Sequence, residues 1–489
     1  MTRLLLAGLA LALVLTAPAA AVPVARDLPV TDESTSTIVS TSGIPHADVG
    51  DLRAARGWRE GDDPGTSWSW SVAFNTVFEQ IAAERPDAVL HTGDMVDGRW
   101  HRDIHDDRVF GPTRTTAQRH RTVRRAGDLY YRQMKRWWAA HDLDPFFSLG
   151  DHEVGDLGWR GFVGGRSFQH QALQTWKRTW ARHFTDGGRR FDLRPRGTQF
   201  SGTAYAVRVG DVGIVTLDPF DQRRHRTVVR IGDAQMRWLD QVLRGLRRDG
   251  ARHLVVQCEV PAIGPNREYA TSGILLENGR DLWRVLRRRG VDLFLSAEFH
   301  AVTTHSQRGT TPVQVVHGSR MRDGRVNYLV LRTYRDRLTL ELRRMAGKVD
   351  GRGSLWSGSA NPAPERLTME PGAALAGTMT IHADGHLSRR TGLLREGVGQ
   401  KLRERLRERL DPAVERRPPL RSGAPTEAAR VRSAPDAGRG PEALQQRTPK
   451  AEERQAPNAA RKPTQPREQA TDADGPAARR PSRGVRPST

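Results

Sequence analysis

Cysteine is nearly absent from this 489-residue sequence: Cys258 is the only one, so no disulfide can form within the chain. Aromatic residues make up 6%, and none falls after residue 400; over 401–489 Phe, Trp, Tyr, Ile, Met and Cys are all missing. Apolar runs long enough to cross a membrane are missing too. The longest, residues 4–16, spans about 13 positions and is cut short by Pro18. These absences exclude a polytopic membrane protein, a disulfide scaffold and a collagen-like fibre. Acidic residues are also in deficit, with 56 Asp+Glu against 78 Lys+Arg and a net charge of +22. The tail at 401–489 holds about 21 of the basic and about 12 of the acidic residues.

What is present divides the chain. Arg3, the apolar run and the small residues around Ala17, Ala19 and Ala21 read as a signal peptide over 1–21, which predicts a secreted protein. Residues 401–410 (K-L-R-E-R-L-R-E-R-L) set Leu402, Leu406 and Leu410 on one helical stripe. Beyond Pro412 the Pro/Ala/Arg mixture has too little apolar surface to fold, so 401–489 is expected to be a basic disordered tail. Its spread-out arginines suit loose contact with an anionic cell envelope. Without interleaved aromatics it is not a specific reader of nucleic acid. Residues 36–345 are expected to form the main domain and 346–400 a peripheral extension.

The main domain alternates strand and helix patterns, an α/β arrangement. Apolar strands are expected at 36–42, 87–90, 146–149, 253–257, 291–295 and 313–317, a hairpin at 203–217 and a strand pair at 328–332 and 338–343. Helices are expected at 71–85, 127–141, 233–248 and 282–289. Four strands in succession end in acidic or imidazole groups: Asp94/Asp97, Asp151/His152/Glu153, Glu259 and Glu298/His300. Ligand sites of α/β sheets gather beyond the strands' carboxyl ends, and carboxylate with imidazole is the ligand chemistry of Mn, Fe, Zn or Mg. Trp68, Trp70, Trp137 and Trp138 read as core or cleft wall, Cys258 as a plain buried thiol. The stretch 99–102 (R-W-H-R) is a candidate for contact with an anionic substrate, and His317, at the end of a late strand, is a further site candidate.

These segments resemble the calcineurin-like metallophosphoesterases. The likeness rests on G-D-x-x-D at 93–97, G-D-H-E at 150–153, Glu259-Val260-Pro261 and Ala297-Glu298-Phe299-His300, and covers roughly residues 36–344. It implies a four-layer α-β-β-α sandwich with two divalent ions at one edge, bridged by Asp94. It also implies His152 beside the phosphate as electrophile or proton donor, with Glu153 orienting that imidazole. The carried-over metal ligands are Asp94, Asp151, Glu259, Glu298 and His300.

The family's opening D-x-H is where the sequence departs, for Gly43 and Pro45 stand at its ligand positions. A small shift would let His46 or Asp48 serve instead. The surviving set of four carboxylates is hard and oxygen-rich, suited to Mn or Mg rather than Zn or Fe. On this reading the chain is a secreted metal-dependent phosphoesterase acting on a phosphomonoester or diester, and Gly43→Asp with Pro45→His should raise its activity. The alternative is a non-catalytic relative that binds an anionic ligand or wall polymer.

Overall fold

The computed structural model describes residues 34–156, 162–164, 167–264, 274–359 and 361–395. The chain divides into two units, Met1–Arg417 and Pro418–Thr489, and every described residue belongs to the first. The segments 1–21 and 401–489, with the stripe at 401–410, lie outside the described residues.

Two large sheets carry the fold. In the eight-stranded one, Ser36–Thr41 pairs in parallel with Ala88–His91 and antiparallel with Arg325–Thr333, and Ala88–His91 pairs in parallel with Phe146–Phe147. In the six-stranded one, Val212–Thr216, His253–Gln257, Leu293–Ser296 and Thr310–His317 are parallel neighbours. Strand parity divides the core. Ile38, Leu90, Leu329 and Leu340 of the first sheet share one apolar cluster with Ile214, Val255, Leu295 and Val315 of the second. Their chain neighbours Val39, Val89, Val215, Val256 and Phe294 point the other way, into a cluster with the helices. Two sheets face to face, each covered by helices, are the expected four layers, a mixed α/β sandwich.

The helices are α1 (Trp68–Ala82), α2 (Thr116–Ala139), α3 (Phe168–Phe184), α4 (Asp233–Arg248) and α5 (Gly279–Arg288). In α1 the stripe Phe74, Val77, Phe78 and Ile81 is buried as its spacing dictates. Helix α2 begins eleven residues before its expected start at 127, because its first turns are arginine-rich and carry little apolar signal. What starts it is a capping box: the Gln118 amide donates to Thr115 Oγ1 (3.2 Å) and the Thr115 amide to Gln118 Oε1 (2.9 Å).

The expected edge at 345 falls inside a strand. Arg337–Ser354 runs through it, and Ala374–His382 and Leu387–Ser388 add to the same sheet, while Pro364–Met369 pairs with the far half of Arg337–Ser354. The segment 346–388 is therefore built into the sandwich and not laid on its periphery. Its pairing partners are distant in sequence, which local periodicity does not reveal. Among the described residues no helix is long and apolar enough to cross a membrane.

Candidate metal centre

Each motif leaves the carboxyl end of a parallel strand. The loop 43–48 follows Ser36–Thr41, Asp94 follows Ala88–His91, and the segment 151–153 follows Phe146–Phe147, all in one sheet. Glu259 follows His253–Gln257, and Glu298 and His300 follow Leu293–Ser296, in the other. Parallel strands put their carboxyl ends on one edge, and stacking the sheets brings the two edges together.

Asp94 stands at the centre. Its Oδ2 lies 3.5 Å from His46 Nδ1 and 3.7 Å from His300 Nε2. The His46 ring meets those of His152 and His300 edge-on, at centroid distances of 4.4 and 4.6 Å. Ligand atoms of His46, Asp94 and His152 lie within 4.8 Å of one another, and so do those of Asp94, Asp151 and Glu259. Glu298 adjoins this second group: after burial, its charge is the next influence raising the pKa of Glu259, and its Oε1 accepts the Ile274 amide (3.2 Å). The residues carried over as metal ligands thus converge, although their sequence positions run from 94 to 300.

Burial sets the electrostatics. It raises Asp94 to about 6 and Asp151 to about 7, the latter helped by the Asp94 charge. Glu259 and Glu298 are pushed well above the ordinary carboxylate range, first by burial and then by their acidic neighbours. Burial also holds the imidazoles neutral: His300 falls to about 3, and His46 lies well below its usual value. No described donor reaches either oxygen of Glu259, nor does His46 Nδ1 or His300 Nε2 have a hydrogen-bond partner among the described residues. Buried acceptors and neutral imidazoles left unpartnered around one carboxylate are the donor set a divalent cation would satisfy.

Glu153 has a different place from the one expected. Its carboxylate accepts three backbone amides, from Asp94 (2.9 Å), Met95 (2.7 Å) and Gly150 (2.8 Å), and so clamps the two acidic loops together. The His152 ring is oriented instead by the Asp97 carbonyl, 3.0 Å from Nδ1. Asp48 is a second clamp, its Oδ1 taking the amides of Asp97 (3.0 Å) and Gly98 (3.2 Å). Of the two candidates to replace the missing D-x-H, the one beside Asp94 is therefore His46. The Asp97 carboxylate accepts the hydroxyl of Ser359, which ties the segment beyond 345 to the back of the site.

Other candidates resolve into packing. In the 99–102 stretch Trp100 and His101 are buried and Arg99 pairs with Asp156. Trp70 and Trp138 are core, Trp137 stacks on Phe74, and Trp68 is exposed. Cys258 is fully buried, and burial pushes its thiol pKa up. His317 bonds Ser40 Oγ (3.0 Å) inside the sheets.

The loop geometry also bears on the expected repair of the D-x-H motif. Gly43 has φ +56°, and a Cβ there would lie 2.2 Å from the Ser319 carbonyl oxygen. That oxygen belongs to backbone and cannot swing aside. Gly43→Asp with Pro45→His is therefore expected to lower stability by ~2 kcal/mol or more and bring no gain in turnover. Urea unfolding alongside an activity assay checks it; a more active variant of unchanged stability would contradict the clash.

Residues 67–301 match the family model of the calcineurin-like phosphoesterases. Among solved structures, a dimetal phosphatase from Danio rerio aligns at 14% identity and a TM-score of 0.37, over 63% of this chain and 96% of its own. GAP50, the anchor in the inner membrane complex of Plasmodium, aligns at 11% identity and a TM-score of 0.29, over 63% of this chain and 84% of its own. No curated protein matches the chain. The matched segment contains the motif residues Asp94, Asp151, His152, Glu259, Glu298 and His300, and it is this segment, a little under half of the chain, that is similar to the calcineurin-like phosphoesterases.

Proposed function

We propose that the protein is an exported, metal-dependent phosphoesterase that hydrolyses a phosphomonoester or phosphodiester. The observation that carries this reading is the group of four buried carboxylates, Asp94, Asp151, Glu259 and Glu298, meeting neutral imidazoles at one sheet edge. Those carboxylates would hold the cation, and their hard oxygens suit Mn or Mg. What a divalent cation supplies in such a set is Lewis acidity towards a phosphoryl oxygen and a more acidic water.

The chain's own groups do the rest. The Asp97 carbonyl can only accept, so His152 Nδ1 carries the proton in that bond and Nε2 is left to exchange a proton with a substrate oxygen. His152 and His300 keep slight solvent exposure, whereas Glu259 has none, so substrate meets the site from the imidazole side. Arg320 adds positive charge there; after burial, its field is the next largest influence lowering the His300 pKa, and the same field favours an anionic substrate. Arg3 with the apolar run 4–16 supports export, and the arginine-rich residues 401–489 support loose contact with an anionic envelope.

The test is turnover of p-nitrophenyl phosphate and bis(p-nitrophenyl) phosphate. Activity should be lost in EDTA and restored by Mn or Mg. Turnover that survives exhaustive chelation would contradict the reading.

A further inference from the structure

We propose that His46, with Asp94 and His300, forms an imidazole-based cation position beside the carboxylate one, His46 standing in for the ligands that Gly43 and Pro45 cannot supply. The inference rests on the phosphoesterase reading of the same site and adds a ligand that its motifs do not contain. The loop that delivers His46 lies outside the segment 67–301 that matches the family.

Three observations converge on it. The first is placement. His46 is 2% exposed, its Nδ1 is 3.5 Å from Asp94 Oδ2 and has no described hydrogen-bond partner. A histidine there only for packing would leave a buried polar atom unsatisfied, a penalty of about 1–3 kcal/mol that an apolar side chain would avoid. His300 Nε2, 3.7 Å from the same oxygen, is unpartnered in the same way.

The second is the backbone. His46 has φ +60°, a left-handed conformation that non-glycine residues rarely take and that local structure must hold in place. It is held from both sides. The Gly43 amide donates to the Gly93 carbonyl (3.0 Å) and the Ala47 amide to that of Met95 (3.4 Å). The Met321 amide donates to the Gly43 carbonyl and the Arg322 amide to that of Pro45, both at 3.2 Å. Gly43, tight against Ser319, allows this path, and an aspartate in its place would block it. The departure from D-x-H is thus a rerouted loop that ends with an imidazole on Asp94.

The third is chemistry. Asp94 Oδ2 faces the imidazoles of His46 and His300, and Asp94 belongs as well to the group with Asp151 and Glu259. One carboxylate shared by a nitrogen-rich and an oxygen-rich group suits two cations of different character. The imidazole position should prefer Zn, Fe or Co, and the carboxylate position Mn or Mg.

The experiment measures cations bound by the full chain, after dialysis against Zn, Co or Mn, for the wild type and two variants. His46→Asn keeps a residue that tolerates positive φ and removes the imidazole. Glu259→Gln disturbs only the carboxylate group. The wild type should bind two equivalents and each variant one. Bound Co in the wild type should show visible absorption bands from nitrogen ligation, present in Glu259→Gln and absent in His46→Asn, with circular dichroism confirming that both variants fold. If His46→Asn keeps the wild-type stoichiometry and Co spectrum, the inference is overturned. A single equivalent, lost in Glu259→Gln and kept in His46→Asn, overturns it while leaving the phosphoesterase reading intact. No bound cation in any protein removes both. Should His46→Asn fail to fold, the Co spectrum of the wild type decides: oxygen-only ligation overturns the inference.

Discussion

Asp94→Asn should strip the centre of its cations and reduce kcat/KM by about three orders of magnitude or more. Asp94 is the carboxylate common to the imidazole and carboxylate groups, so neutralising it weakens both at once. Lewis-acid stabilisation of a phosphoryl transition state is worth several kcal/mol, and each 1.4 kcal/mol is about tenfold in rate. The fold should survive the change. Asp94 sits at φ +64°, which asparagine adopts readily, and the bond its amide donates to the Glu153 carboxylate uses no atom of the Asp94 side chain. The readouts are bound-metal analysis and steady-state kinetics beside a thermal melt. A folded variant that keeps its metal and its rate would show that Asp94 is not the hub of the site.

His152→Ala should lower kcat by about two orders of magnitude, the scale for removing one positioned acid–base group, with KM changing far less. On the proposed function the loss falls on kcat because the ring would exchange a proton and stabilise charge as the phosphoester bond breaks. The backbone of the 3-10 turn at His152–Val154 accommodates alanine, and Glu153, which holds the neighbouring loops, is untouched. Bound metal should stay near the wild-type level. An unchanged kcat would remove His152 from the chemistry, and loss of cations with the ring would make it a ligand instead.

Much of this site was legible in the sequence, for a physical reason. Strands of a parallel sheet end on one edge, so acidic and imidazole residues just past apolar strands had to meet, and Asp94, Asp151, Glu259, Glu298 and His300 do. Strand and helix periods likewise located α4 and the strand His253–Gln257 to the residue. What spacing cannot encode is which atoms a side chain meets. Glu153 follows His152 in the chain, yet its carboxylate turns away to three backbone amides, and the ring is oriented by a carbonyl 55 residues earlier. His46 could be named from the sequence only as one of two stand-ins with Asp48, because which of them meets Asp94 depends on a left-handed turn and on backbone bonds to Gly93, Met95, Met321 and Arg322. The segment 346–388 escaped because its strands pair with residues far from it, and only the assembled sheet shows them as internal.

The most direct test of the account follows turnover of p-nitrophenyl phosphate as Mn or Mg is added back, in measured equivalents, to the metal-stripped full chain. Rate should rise in step with bound cation and level off once the site is filled. A chain that binds no divalent cation, or binds it and turns over no phosphoester, would contradict the account and leave a non-catalytic, anion-binding relative of the fold as the better description.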